Sequence, residues 1–156
     1  MTSDVFVMIG KPGHGKTFIA DKLSEMLSAV HLETDQIRNE ITEKPTYSTA
    51  ETRDVYEKLL SRASEQIQQN NITILDEIFI AKGVQRKTLD LNTENITYIL
   101  VTCDRDIAKE RLDKDGIDPN IYDQFHLSLL DSIDPIRIET TGSKKQTIQQ
   151  IQKKIL

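Results

Sequence analysis

The sequence predicts an α/β fold built on a mainly parallel β-sheet, and three observations carry that expectation. A continuous apolar run, Val5–Ile9, is closed by Gly10 and reads as a strand buried on both faces. Such a strand needs helices above and below it. Apolar stripes at helical spacing supply them: Ile19, Leu23, Met26, Leu27 and Val30, then Val55, Leu59, Leu60, Ala63 and Ile67. Farther on, β-branched runs at 71–76 and 96–103 alternate with helix-like stretches, the rhythm of a sheet crossed by helices.

Taken in order, the first strand is followed by a helix after Lys16, a short strand at 30–32 and a helix beginning at 36–41. The long stripe through Val55 and Ile67 comes next, then the strand ending at Asp76 and a helical stretch containing Val84, Thr88 and Leu91. After the strand at 96–103, the segments 104–115 and 121–133 read as helices. The run 136–139 reads as a fifth strand, and Ile148, Ile151 and Ile155 as the buried stripe of a final helix. No fixed-period repeat or long linker divides the chain, so residues 1–156 are expected to form a single domain. The loop 43–49 with Pro45 and the stretch 116–120 with Pro119 are the expected mobile segments.

Composition narrows the class. With 37% hydrophobic and 29% charged residues, the chain has material for one packed core and is too evenly mixed for a disordered protein. The net charge of -5 offers no chain-wide basic field for nucleic acid, although a local basic funnel remains compatible with it. The single cysteine, Cys103, forms no internal disulfide, which fits a reducing compartment. The Met-Thr-Ser-Asp start lacks a positively charged leader and Val5–Ile9 is too short to span a bilayer, so a cytoplasmic location and no membrane partner are expected.

The most informative motif is Gly10-Lys11-Pro12-Gly13-His14-Gly15-Lys16-Thr17, which fits G-x-x-x-x-G-K-[ST] directly after a strand and directly before a helix. Glycines at this spacing let the backbone curl so that several N–H groups point at a polyphosphate, and the helix adds its positive end. These eight residues are the candidate ATP cradle. Within them Lys16 would neutralise charge on the β and γ phosphates, and Thr17 would ligate Mg²⁺. His14 occupies a variable position of the motif and reads as a spectator. A plain glycine-rich helix cap is the competing interpretation.

Three further positions bear on the reaction. Asp76, at the end of a buried strand where ligands gather in open α/β sheets, is suited to hold Mg²⁺ together with Thr17. The following Glu77 completes an Asp-Glu pair resembling the Walker B pair of motor ATPases, which keeps an ATPase or nucleotide-driven switch open as an alternative. In Thr34-Asp35-Gln36-Ile37-Arg38, Asp35 opens a helix and Arg38 lies about one turn on. Either Asp35 is the base that accepts a hydroxyl proton, with Arg38 binding the acceptor, or it caps the helix. No Asn-Lys-x-Asp base-reading motif is present, which argues against a guanine switch.

The G-K-P-G-H-G-K-T loop, the T-D-Q-I-R segment, the run 47–63, the I-L-D-E strand end and the later A-K-E-R-L together resemble the small P-loop kinases related to 5′-polynucleotide kinase, zeta toxin and chloramphenicol phosphotransferase, over about residues 5–112. The resemblance implies a three-layer P-loop nucleoside triphosphate hydrolase fold with a five-stranded, mainly parallel sheet in the strand order of nucleoside-monophosphate kinases. It implies an enzyme using ATP and Mg²⁺ to phosphorylate a hydroxyl, with Asp35 as general base, Arg38 at the acceptor and Arg111 closing over the phosphates. One departure is clear. Such kinases carry lid arginines spaced R-x-x-x-R, and here the second position is Asp115, with Lys114 beside it lacking the bidentate geometry of arginine. Arg86 matches a basic position that relatives hold near substrate, and a surface role is equally consistent with it. Arg105 and Lys109 read as a solvated face.

The remaining chemistry-bearing residues are scattered. Tyr47, Tyr56, Tyr98 and Tyr122 form no stacking array, which, with the acidic stretch 104–134, favours a small-molecule or nucleotide acceptor over long nucleic acid. His31 and His126 lack Cys or His neighbours at ligand spacing, so zinc and thiol catalysis are not expected.

Overall fold

A computed structural model describes residues 3–77 and 81–156. Five strands, β1 (Val5–Ile9), β2 (Val30–Glu33), β3 (Thr73–Asp76), β4 (Ile96–Thr102) and β5 (Ile136–Glu139), form one sheet in the order β2-β3-β1-β4-β5, with every neighbouring pair parallel. Among the described residues six α-helices accompany them: α1 (Lys16–Leu27), α2 (Thr34–Ile41), α3 (Thr49–Gln68), α4 (Lys82–Lys87), α5 (Arg105–Lys114) and α6 (Lys144–Lys154). The expected three-layer P-loop fold with a five-stranded parallel sheet is the one observed. Among the described residues, no helix is long and apolar enough to cross a membrane.

Side-chain alternation on the central strands builds the layers. Successive residues point to opposite faces of a sheet. Val5, Val7 and Ile9 therefore join Leu75, Tyr98 and Leu100 on one face, packed against Ile37 of α2 and Val55, Leu59 and Ala63 of α3. Phe6 and Met8 join Ile74, Ile99 and Val101 on the other, packed against Ile19, Ala20 and Leu23 of α1 and Ile151 of α6. All of β1 is buried because both faces are covered. A third, smaller cluster of Ala108, Leu112 and Tyr122 holds α5 at the edge of the domain.

The expected helix over 121–133 is not formed. A 3₁₀ turn at Pro119–Gln124, capped by the Asp118 side chain on Asn120 N–H, gives way to an irregular path. Leu130 and Ile133 are nonetheless buried against the α2–α3 face. Such a path is tolerable only where its backbone polar groups find partners. The fully buried Gln85 provides them: its Nε2 donates to Ser128 O at 2.7 Å, and its Oε1 accepts from Leu130 N–H at 2.9 Å. The apolar residues of this stretch satisfy the core without the helix that their spacing suggests. Similarly, the helical stretch through Val84 and Thr88 is short, and passes into a 3₁₀ turn over Thr88–Asp90.

Candidate active site

Every candidate residue lies just beyond the carboxyl end of a strand or on the helix that follows. The glycine loop leaves β1, Asp35 leaves β2, Asp76 ends β3 and Arg111 follows β4, so the parallel sheet gathers at one edge what the sequence separates. Gly13 and Gly15 take the left-handed region at φ 85 and φ 92. A Cβ on Gly13 would stand 2.6 Å from Ala108 O, so this position excludes any side chain by contact as well as by conformation. Helices α3 and α6 have serine caps, Ser48 and Ser143. By contrast, α1 begins on Gly15 with no side-chain cap and no acidic residue in its first turn. α2, α4 and α5 also lack a side-chain cap, but only α1 follows the glycine loop, and a helix N-terminus so placed suits an anion.

Lys16 folds back over this loop and donates from Nζ to Lys11 O at 3.2 Å. Burial pushes its ammonium pKa down, against the opposing pull of Asp76 and Glu77. Thr17 Oγ1 donates to Asp76 Oδ2 at 3.0 Å, so the two residues expected to hold Mg²⁺ are brought together. A hydroxyl and a carboxylate at this spacing form a hard-oxygen set that fits Mg²⁺.

His31 was not expected here. It lies two residues before Glu33 on the same face of β2, and Glu33 pairs in register with Asp76. Its Nε2 sits 3.0 Å from Asp76 Oδ2. That hydrogen bond, outweighing burial and assisted by the charges of Asp76, Glu33 and Asp21, raises the imidazole pKa. The readable signal was the parallel pairing of two strand ends, not a ligand spacing within the chain.

His14 is not a spectator. Its ring is buried, with Nδ1 3.0 Å from Val101 O and Nε2 2.6 Å from Tyr122 Oη. A neutral ring donating from Nδ1 to the carbonyl and accepting from the phenol satisfies both contacts. Burial first, then the charges of Lys16, Lys11 and Arg111, push its pKa down to about 4. Lys11 places its ammonium 3.8 Å from the centre of the Tyr122 ring, so this loop residue faces the 3₁₀ turn.

Asp35 occupies the first turn of α2, after the cap residue Glu33, and is exposed. The helix-cap interpretation is thereby removed. Arg38 is buried and paired: Nη1 donates to Glu51 Oε2 at 2.6 Å, Nη2 to Thr52 Oγ1 at 3.4 Å, and the guanidinium lies 4.5 Å from the Tyr47 ring centre. Glu51 also accepts from Thr46 N–H at 3.1 Å and Tyr47 N–H at 2.7 Å, so one carboxylate ties the loop 42–48 to both helices. Burial acts to raise the Glu51 pKa, but these N–H groups and Arg38 outweigh it and hold it low.

Arg111 donates from Nη1 to Gly13 O at 3.2 Å and Thr140 Oγ1 at 2.9 Å, and from Nη2 to Thr140 O. It braces the outer flank of the glycine loop and lines a groove of about 310 Å³ with Phe18, Lys114, Asp115, Thr140 and Thr147. Arg105 and Lys109 are exposed and partly buried respectively, and both bind Asp123, the guanidinium through two bonds of 2.9 and 2.7 Å. They fasten α5 to the 3₁₀ turn, a role beyond a merely solvated face. Arg86 is exposed and outside the cavities around Asp35.

Two cavities meet at this edge. One, of about 410 Å³, runs along the glycine loop past Lys16, Thr17 and Asp76. The other, of about 530 Å³, lies between α2, α3 and α4, lined by Arg38, Tyr47, Tyr56, Val84 and Phe125. Thr34, Asp35 and Glu77 line both.

Solved structures with this fold include a gluconokinase from Sinorhizobium meliloti, at 10% identity and TM-score 0.72 over 96% of this chain and 90% of that one. The APS kinase of Mycobacterium tuberculosis, solved with AMPPNP and APS, matches at 14% and 0.73 over 97% and 96%. The shikimate kinase of Acinetobacter baumannii matches at 15% and 0.65 over 97% and 92%. At such identity the likeness concerns the fold. No curated protein matches the sequence significantly. A family profile described as an AAA domain, AAA_33, matches residues 5–116, from the first residue of β1 to the glycine beyond α5, and so takes in the glycine loop, Asp35, Asp76 and Arg111. That span is most of the chain, and the chain therefore belongs to the AAA_33 family of P-loop domains.

Proposed function

We propose that the protein is an ATP-dependent phosphotransferase that moves the γ-phosphoryl group of ATP to a hydroxyl of a small-molecule or nucleotide acceptor. The observation that carries this reading is the position of Asp35, where the phosphate cleft and the second cavity join. A kinase needs a base at such a junction, within reach of an acceptor on one side and the phosphoryl group on the other.

In this reading the triphosphate lies on the N–H groups of the glycine loop and α1, with Lys16 against the β and γ phosphates. The groove beside Arg111, Phe18 and Thr140 takes the base and ribose end, and Arg111 keeps the loop in shape from outside. Thr17 and Asp76 would hold Mg²⁺, which when bound offsets phosphate charge. Asp35 accepts the acceptor's hydroxyl proton as the oxygen bonds to the γ-phosphorus, and the bond from that phosphorus to the β–γ bridging oxygen breaks, releasing ADP. Arg38 orients the acceptor cavity through Tyr47.

ADP release with a panel of alcohols tests the reading. Asp35→Asn is expected to remove acceptor-dependent ADP formation by about 10²–10⁴-fold while ATP binding persists. Full acceptor turnover in that variant would exclude Asp35 as the base.

A further inference from the structure

Asp76 Oδ2 accepts hydrogen bonds from two separate elements. Thr17 Oγ1 donates to it at 3.0 Å from α1, and His31 Nε2–H donates to it at 3.0 Å from β2, since a carboxylate can only accept. Glu33 Oε1 lies 3.5 Å from the same Nε2, and the shorter contact makes Asp76 the principal acceptor. The imidazole is also held from its other edge, with Nδ1 3.2 Å from Asp21 Oδ1. Thr17 and Asp21 stand one turn apart on the same face of α1. The contacts therefore close a ring that leaves α1 at Asp21, passes through His31 and Asp76, and returns to α1 at Thr17. His31 and Asp76 are both largely buried, so little water competes for the bond between them.

We infer that His31 is a positioning residue for the Mg²⁺ site, holding the Asp76 carboxylate in the orientation that suits the metal. A carboxylate fixed by a single hydroxyl turns about its side-chain torsions. A second donor on the same oxygen, arriving from a different strand, stops that rotation and leaves Oδ1 as the oxygen to meet the metal or a water bound to it. It also keeps Oδ2 in place to take the Thr17 proton, so that the hydroxyl oxygen has lone pairs left for the same ion. Asp21 in turn fixes the plane of the ring. Any positive charge on the imidazole acts against the metal, so orientation and charge have opposite signs and can be told apart. The inference rests on the Mg²⁺ site of the proposed phosphotransfer and extends it to a residue that acts only through Asp76.

The test titrates Mn²⁺, which takes the same hard oxygen ligands, into the full chain with a non-hydrolysable ATP analogue, and reads bound metal by electron paramagnetic resonance. His31→Leu is expected to weaken Mn²⁺ binding about tenfold, the lower end of what the outer partners of metal ligands contribute. His31→Gln, whose amide N–H reaches the place of Nε2 without charge, is expected to restore affinity to within about threefold of the wild type. Analogue affinity in EDTA is expected to be equal in all three proteins, and a parallel loss there would assign the effect to the fold and overturn the positioning role. Unchanged or tighter Mn²⁺ binding in His31→Leu would overturn it too, as would equal weakening in both variants. If His31→Leu does not fold, Asp21→Ala at its exposed position serves: a loss of about threefold is expected, and unchanged affinity would refute the orienting chain. A wild type that binds the analogue but no Mn²⁺ would instead end the assignment of Thr17 and Asp76 to Mg²⁺, and this inference with it.

Discussion

His14 Nε2 and Tyr122 Oη meet at 2.6 Å across 108 residues of chain, and this contact locks the glycine loop to the 3₁₀ turn beyond α5. The imidazole is neutral in the fold, with its pKa lowered from 6.5 to about 4. Between those values the unfolded chain binds a proton that the folded chain refuses. The stability contribution is therefore complete above about 6.5 and is lost as pH falls toward about 4. Thermal melting of the wild type and His14→Gln at pH 7 and pH 4.5 checks this: the wild type is expected to lose more stability than the variant, by on the order of 2 kcal/mol. Equal losses would show that His14 is not the group being protonated.

Lys16 and Glu77 separate a kinase from an ATPase. Lys16→Ala is expected to lower ATP turnover on the order of a thousandfold, since it removes the cation that, among the described residues, lines the phosphate cleft. For Glu77→Gln, the loss of acceptor phosphorylation is expected to be smaller than that of Asp35→Asn. The reverse ranking, with ADP formed independently of any acceptor, would favour a Walker B pair polarising water.

Arg111 contacts Gly13 O and Thr140 through two nitrogens of one planar group. A lysine cannot span those acceptors. Arg111→Lys is expected to weaken ATP binding roughly tenfold, the loss of about 1.4 kcal/mol. Isothermal titration with a non-hydrolysable ATP analogue gives the answer, and unaltered affinity would show that the brace is dispensable.

Gln85→Leu retains the volume but leaves Ser128 O and Leu130 N–H without the partners they have in the fold. The expected destabilisation is about 2–4 kcal/mol, from two buried groups left unpaired. For a domain of this size that lowers Tm by roughly 5–15 °C in a calorimetric scan. A shift near zero would mean that the segment re-pairs with solvent.

Much of this protein was legible because its signals are local. The eight-residue glycine motif is read from its own spacing, and β1 from five consecutive apolar residues. Asp35 and Asp76 were marked by standing at strand ends, since a parallel sheet brings such ends to one edge. The illegible parts depend on pairings between distant segments. Arg38 lines the cavity beside Asp35, but its pairing with Glu51 comes from another helix and is written in none of its neighbours. His14 occupies a variable motif position, and only Val101 and Tyr122 give it a task. The spacing over 121–133 suits a helix, yet Gln85, some forty residues earlier, supplies the hydrogen bonds that let the backbone do without one.

By itself, the sequence determined the order of the strands and of the helices other than the one expected over 121–133, the glycine loop and the carboxylates that surround it, because backbone propensity and apolar periodicity act over a few residues. Tertiary structure alone decided which charges remain available. A side chain's electrostatic role depends on the counter-charge folding brings within about 4 Å, a distance that sequence separation does not encode.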